Sequence, residues 1–350
     1  MGRVKRRLIS TTAVGAAAVA LTLTLPVWLP LAVAVDLVRG RWRCPVARLL
    51  AFALGWSWLE SAGVTAAFVL WVAGRSADRR AHYRLQRWWA ANLMRVLRTA
   101  TGLTVEVDGA AHLRPGPAIV LCRHASLADS LVSAWVITSL AGQQPRYVLK
   151  RELLADPCLD VVGGRLPNHF LDRDAADSEV ELAALTALGA GMGADDVAVI
   201  FPEGTRASPA KRARAIERIA GRDPARAAHL AALRHLLPPR PSGTAALLDG
   251  APGADVVIAW HAGFEGLDTF GGILRALGRG APRVRFAARR VARVDVPPTS
   301  DGVAFTAWLD ACWLAADDAV DALVHSPAPT RPGVPSGRPH AAAPDSGAIG

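Results

Sequence analysis

The spacing of apolar positions divides the chain into two unlike parts. Leu8 to Val35 is twenty-eight residues without a charge, and Leu49 to Gly74 contains only Glu60. At about 1.5 Å rise per residue, about 20 apolar residues cross a hydrocarbon core, so each stretch is long enough to span. Pro26 and Pro30 offer the first stretch another form, a broken re-entrant or interfacial helix pair. From Ala81 to Ala100, Leu85, Trp88, Trp89, Leu93, Val96 and Leu97 recur opposite Arg84, Arg87, Arg95 and Arg98, which predicts an amphipathic helix. Beyond it, short apolar runs alternate with helical patterns. Strands are predicted over Leu103–Val107, Ala118–Cys122, Tyr147–Leu149, Val197–Phe201, Val256–Trp260 and Val284–Ala287. Helices are predicted over Asp129–Leu140, Glu179–Leu188, Pro209–Ala220, Pro224–Leu236 and Thr306–Val324. This alternation predicts an α/β fold, one domain over 81–325 with helices flanking a mainly parallel or mixed sheet. Residues 1–80 form a membrane-attachment segment in this reading. Residues 326–350, with six prolines and no aromatic, read as a disordered tail.

The charge balance follows the same division. Residues 1–100 carry fifteen Lys and Arg against Asp36, Glu60 and Asp78, whereas the rest carries twenty-five against twenty-seven acids. A nucleic-acid protein would spread its basic face over the folded domain, so no nucleic-acid partner is expected. Seven of the eleven tryptophans also fall in the first 89 residues, where indole favours a headgroup boundary and membrane lipid as a partner. Basic clusters lie before, between and after the two stretches, an arrangement that two simple spans cannot keep on one side. The first stretch is too long for the apolar core of a signal peptide. The expected location is the cell membrane, with the active site at its cytoplasmic face. Glu60 is expected to face the interface, with an intramembrane site as the alternative. The four cysteines are scattered, which excludes a disulfide framework and gives no metal-ligand spacing.

Chemistry concentrates at two strand ends. His124 and Asp129 follow the strand Ala118–Cys122 and lead into a helix. Across that turn a carboxylate can hold one imidazole tautomer and leave the other nitrogen as a general base. A histidine capping a helix start is the alternative. Cys122, two residues earlier, invites a covalent-thiol reading, but nothing else supports it and a small core residue suffices. At another strand end stands Phe201-Pro202-Glu203-Gly204-Thr205-Arg206. A glycine beside a hydroxyl and an arginine offers backbone N–H groups and a forked cation to a phosphate; the alternative is a polar turn with a surface arginine. His112, His169, His229, His235 and His261 lack ligand spacing and are expected in surface or loop positions. Residues 211–234 read as a basic, solvated helical insert, with headgroup binding as the alternative.

Taken in order, these blocks resemble the glycerolipid acyltransferases, the lysophosphatidate (1-acylglycerol-3-phosphate) O-acyltransferases, over roughly residues 85 to 290. His124-x4-Asp129 matches the catalytic pair of the family. Tyr147-Val148-Leu149-Lys150-Arg151-Glu152-Leu153 through Phe170-Leu171-Asp172-Arg173 matches the second block, and Phe201 to Arg206 the acceptor-phosphate block. The fourth block falls near Val256–Trp260 and lacks its usual proline. Leu236-Leu237-Pro238-Pro239-Arg240-Pro241-Ser242-Gly243 is similar to the Pro-Arg-x-x-Gly block of the lysocardiolipin and long animal-type subgroup. The resemblance implies that His124 and Asp129 are catalytic. It implies that Arg173, Glu203, Gly204, Thr205, Arg206 and Lys150 serve the acceptor, Glu203 by positioning the site. It implies no cofactor, only an acyl-coenzyme A or acyl-carrier-protein thioester as co-substrate. The expected reaction is acyl transfer to a lysophospholipid, first of all lysophosphatidate, in phospholipid biosynthesis. Another lysophospholipid or glycerol 3-phosphate as acceptor, an acyl-thioester hydrolase, and an inactive protein binding anionic lipid remain alternatives.

Overall fold

The structure, a computed structural model, describes residues 2–126, 128–171, 178–267 and 269–325. The expected tail 326–350 and Arg173 therefore lie outside the described residues.

Four helices come first: α1 (Arg3–Leu23), α2 (Leu25–Val38), α3 (Pro45–Val72) and α4 (Arg79–Thr101). Then follow β1 (Thr104–Asp108), β2 (Ala118–Cys122), α5 (Asp129–Trp135, continued by a wider turn to Leu140), β3 (Gln144–Lys150), α6 (Pro157–Val161) and β4 (His169–Leu171). The chain continues through α7 (Ser178–Gly189), β5 (Asp196–Ile200), α8 (Pro209–Ala220), α9 (Pro224–Leu230), α10 (Pro241–Gly250) and β6 (Asp255–Ala262). It ends with α11 (Phe270–Arg279), β7 (Arg283–Val291) and α12 (Gly302–His325).

The strands make one mixed sheet in the order β1-β7-β6-β2-β5-β3-β4, parallel at every junction except β6–β7. β2 lies at its centre and all five residues are buried, because the sheet is covered on both faces. Ile119, Leu121, Ala198, Ile200, Val256 and Ile258 pack with Leu185 of α7, Leu247 of α10 and Trp313 of α12. Val120, Cys122, Val199, Val257 and Ala259 pack on the opposite side with Met94 of α4 and Val132 of α5. Since β2, β3, β4, β5 and β6 run the same way, their carboxyl ends share one edge of the sheet, where open α/β folds place their sites.

At the N-terminus the first apolar stretch takes the broken form that Pro26 and Pro30 offered. The stretch 8–35 is broken at Thr24, with Pro26 in the first turn of α2, and the two helices bend by 77°. Among the described residues no single helix is long and apolar enough to cross a membrane, α3 included. Instead, α3 is fastened to the rest of the chain. Glu60 does not face an interface: it is fully buried, accepting from Trp89 Nε1 at 2.7 Å and from Cys158 N at 3.0 Å. Asp160 receives Arg6 Nε at 2.7 Å and Arg7 Nε at 3.0 Å, and Arg165 Nη1 donates to Ala67 O at 2.9 Å. Gly63 permits the close approach of α3 to α6, since a Cβ there would lie 2.5 Å from Cys158 Sγ.

Other boundaries moved for local reasons. The helix predicted to reach Leu236 stops at Leu230. β3 starts at Gln144 and includes Pro145, which is tolerated because β4 pairs with β3 only from Val148 onward.

Candidate active site

His124 leaves the end of β2 and is held at four points. Its Nδ1 lies 3.2 Å from Asp129 Oδ2, its backbone N donates to Glu203 Oε1 at 2.9 Å, and its carbonyl accepts from Ala207 N at 2.8 Å. Its ring leans on Phe201, with centroids 4.9 Å apart. Three of these partners come from the stretch 201–207 after β5, which pairs with β2 in parallel register. The two sequence blocks therefore meet because adjacent parallel strands end together.

Asp129 opens α5 and is 1% exposed. Its Oδ2 also accepts from Ala125 N at 2.6 Å and Ser126 N at 2.8 Å, so the loop curls round the carboxylate. Burial alone would raise its pKa, but the His124 hydrogen bond, the neighbouring imidazoles and the backbone donor outweigh it and hold the carboxyl below its ordinary value. A charged acceptor at Nδ1 fixes the proton there. Nε2 is then left as an acceptor on a side chain that is 13% exposed. This is the geometry of a general base.

Glu203 faces inward. It is 2% exposed, and its second oxygen accepts from Leu237 N at 3.0 Å. Burial dominates the two hydrogen bonds and pushes its carboxyl up to about 8. Both oxygens are committed to backbone, so Glu203 ties the His124 loop, its own loop and the chain before α10 together and does not present itself to a substrate. Gly204, Thr205 and Arg206 are half-buried on the turn beyond it. Gly204 has φ +69°, a left-handed conformation that glycine adopts without strain. Lys211 Nζ reaches from α8 to Thr205 Oγ1 and Arg206 O, both at 3.2 Å. Lys150 ends β3 at the same edge of the sheet.

His261 was expected at a surface or in a loop, and that expectation fails. It is 3% exposed near the end of β6, with Nε2 3.3 Å from Arg123 O and 3.7 Å from Asp129 Oδ2. Burial pushes its pKa down to about 4 in spite of Asp129. The ring is thus neutral, with its proton on Nε2 facing the carbonyl, and it stands edge-on to Phe264. Arg123, also 3% exposed, donates to the His261 carbonyl and to Glu265 Oε1 at 3.1 Å, locking the start of the loop. The register Cys122↔Ala259 carries the signal that spacing lacked: a parallel partner of β2 must end beside His124. Cys122 lies buried in the α5-side core, where burial pushes its thiol pKa well up; it is not placed as a nucleophile. Among the described residues no group of three or more His, Cys, Asp or Glu side chains is arranged to hold a metal ion.

With this geometry in place, residues 104–241 match the family model described as Acyltransferase, a span holding both members of the His124–Asp129 pair and the whole 201–206 turn. The chain carries an acyltransferase domain. The matched span covers the blocks on which the resemblance to glycerolipid acyltransferases rests. The acyltransferase fold is shared with PlsC, the 1-acyl-sn-glycerophosphate (LPA) acyltransferase from Thermotoga maritima. That likeness has a TM-score of 0.50 and 16% identity, over 81% of this chain and 98% of that one. At this identity the likeness is one of fold. No curated protein matches the chain.

Proposed function

We propose that this acyltransferase moves a fatty acyl group from a thioester donor, acyl-coenzyme A or acyl-carrier protein, to the free hydroxyl of lysophosphatidate, giving phosphatidate for phospholipid synthesis. The observation that carries the reading is the pairing of His124 Nδ1 with a buried, charged carboxylate beside a cationic turn that hydrogen-bonds the His124 backbone. His124 Nε2 takes the proton of the acceptor hydroxyl as its oxygen attacks the thioester carbonyl. Asp129 stabilises the imidazolium that forms. The carbon–sulfur bond then breaks, and the leaving thiolate takes the proton back from His124. A thiolate leaves readily, so no second strong acid is needed. Arg206, Lys150 and the N–H groups around Gly204 and Thr205 serve the acceptor phosphate, together with Arg173. Donor and acceptor react in one ternary complex, without an acyl-enzyme.

The N-terminal helices suit a lipid acceptor. Eighteen of the twenty-five exposed large apolar side chains among the described residues fall before residue 89, from Val4 to Trp88. Such a concentration supports a surface that meets lipid. In this proposal the bent α1–α2 pair and the exposed face of α3 sit in the cytoplasmic leaflet of the cell membrane, where each basic flank residue adds about 1 kcal/mol toward anionic lipid.

The test is a transfer assay on the purified full chain with radiolabelled acyl-coenzyme A and, separately, acyl-carrier protein. Lysophosphatidate, glycerol 3-phosphate, other lysophospholipids and no acceptor are offered in parallel. Labelled phosphatidate from lysophosphatidate is the expected product. Preferential labelling of another phospholipid refutes the acceptor, and thiol release without any acceptor means a hydrolase.

A further inference from the structure

Strand β2 ends at Cys122, and one more backbone bond toward β6 forms beyond it, from Arg123 N to Ala259 O at 3.0 Å. Past that point two side chains take over the pairing. Arg123 Nη1 donates to the His261 carbonyl, and His261 Nε2 lies 3.3 Å from the Arg123 carbonyl oxygen. The Arg123 carbonyl and the His124 N–H belong to one peptide unit, which is planar and turns as a body. Its N–H is already committed, to Glu203 Oε1 at 2.9 Å. The peptide that carries His124 is thus gripped on both edges, by Glu203 from the turn after β5 and by His261 from β6. These two strands flank β2 in the sheet, so both of its neighbours fix the same plane.

Nothing else explains a histidine at this place. Its Nδ1 is buried and has no hydrogen-bond partner among the described residues. Its ring stands edge-on to Phe264 with centroids 5.2 Å apart, a packing that phenylalanine would serve as well. Burying an imidazole costs free energy unless its polar atoms find partners. Those partners lie at Nε2: the Arg123 carbonyl, and Asp129 Oδ2 at 3.7 Å, the oxygen that also faces His124.

We propose that His261 is a positioning residue for acyl transfer, whose Nε2–H holds the Arg123–His124 peptide opposite Glu203 and so keeps the His124 ring against Asp129. This rests on the reading of His124 as the general base and adds a residue to it. His261 is buried beside Asp129 and acts on the reaction only through His124. Without its N–H the peptide is held on one edge, and the base loses its fixed direction. A misplaced base takes the acceptor proton less readily, while the binding of donor and acceptor is untouched.

The test compares wild type with His261→Phe and His261→Gln, as full chains in detergent, with circular-dichroism melting to establish folding. Phenylalanine fills the space and removes the N–H, whereas the glutamine amide reaches about as far as Nε2 and restores it. His261→Met, as long as glutamine but without an N–H, serves where phenylalanine fails to fold. Kinetics use acyl-coenzyme A and lysophosphatidate. His261→Phe and His261→Met lower kcat about tenfold to a hundredfold, with both KM values within about threefold of wild type. His261→Gln recovers kcat to within about threefold of wild type. NMR of isotope-labelled histidines reads the position of the base without turnover. The His124 Nδ1–H, assigned by its loss in His124→Ala, is sheltered in wild type and His261→Gln and is broadened by exchange with water in His261→Phe. The proposal is overturned by kcat retained in the variants lacking the N–H, or by a rise in KM in place of the fall in kcat. A glutamine variant as slow as phenylalanine, or an Nδ1–H signal indifferent to residue 261, overturns it equally. A signal that depends on His261 in a chain without acyl transfer leaves His261 as the residue that positions His124 and refutes the functional reading instead.

Discussion

Replacing Glu203 with glutamine exchanges one oxygen for an NH2 group and keeps the outline of the side chain. In the wild type both oxygens accept backbone N–H bonds, from His124 at 2.9 Å and Leu237 at 3.0 Å. An amide accepts only through its oxygen, so one of these buried donors must face another donor whichever way the glutamine settles. An N–H group left without an acceptor costs about 1–3 kcal/mol. Where the orphan is His124 N, the base shifts from its position, and a misplacement worth about 1.4 kcal/mol lowers kcat about tenfold. A pH signature separates this loss from ordinary packing defects. The Glu203 carboxyl is pushed up to about 8 by burial, whereas in an unfolded chain it titrates near about 4.3. The folded state holds this proton after the unfolded chain has lost it. Its contribution to stability is therefore complete below about pH 4 and falls as pH rises toward about 8, by at most about 1.4 kcal/mol per pH unit. Glutamine has no such descent. Urea denaturation at intervals from pH 5 to 8.5, with kcat measured alongside, should show wild type losing stability relative to Glu203→Gln as pH rises, so that any advantage it holds at low pH is gone and reversed by pH 8.5. A difference between the two proteins that stays constant with pH would refute the protonation of Glu203.

Three further outcomes follow from the same geometry. For Asp129→Asn, the attraction between an imidazolium and a carboxylate at 3.2 Å is at most about 5 kcal/mol at an effective dielectric of about 20. His124 is partly exposed and the amide oxygen remains, so kcat falls about a hundredfold to a thousandfold; a loss under tenfold contradicts the role given to Asp129. Cys122→Ser keeps most of the turnover, because the thiol is buried and un-ionised, and trapping of an acyl group on Cys122 in a quench experiment would contradict this. Gly204→Ala forces a left-handed alanine, which costs about 1–2 kcal/mol, and brings its Cβ to 3.3 Å from Arg240 Cζ. The acceptor KM rises while kcat is largely kept, and Michaelis curves in both substrates detect the split.

The parts of the fold legible in the sequence were those where local pattern and tertiary environment agree. β2 is apolar at all five positions because it is central, and Pro209–Ala220 has both a proline start and a serine cap, Ser208. The pair His124 and Asp129 was readable because strand end and helix start stand next to each other in sequence. Elements fixed by long-range contacts were not. α10, with Pro241, Ser242 and Gly243, and α11, with Gly271 and Gly272, were assigned no element from the pattern, yet Gly243 and Gly250 of α10 are needed for close packing against Ile200 and the Thr186 carbonyl. β4 has only three residues and exists through its pairing with β3. The break at Thr24, by contrast, follows the broken form that Pro26 and Pro30 offered, since apolarity sets the environment of a segment and proline its straightness. His261 was passed over for the same kind of reason as β4: nothing beside it in sequence is chemical, and only the β2–β6 register brings it to Asp129.

The central claim is that His124 acts as the base in direct acyl transfer, and His124→Ala measured against wild type tests it most directly. Both proteins would be given labelled acyl-coenzyme A and lysophosphatidate, after equal melting curves and equal vesicle binding are established. Positioned general bases contribute about a hundredfold to ten-thousandfold. The variant is therefore expected to form labelled phosphatidate at least about a hundredfold more slowly than wild type. Turnover within tenfold of wild type would contradict the account.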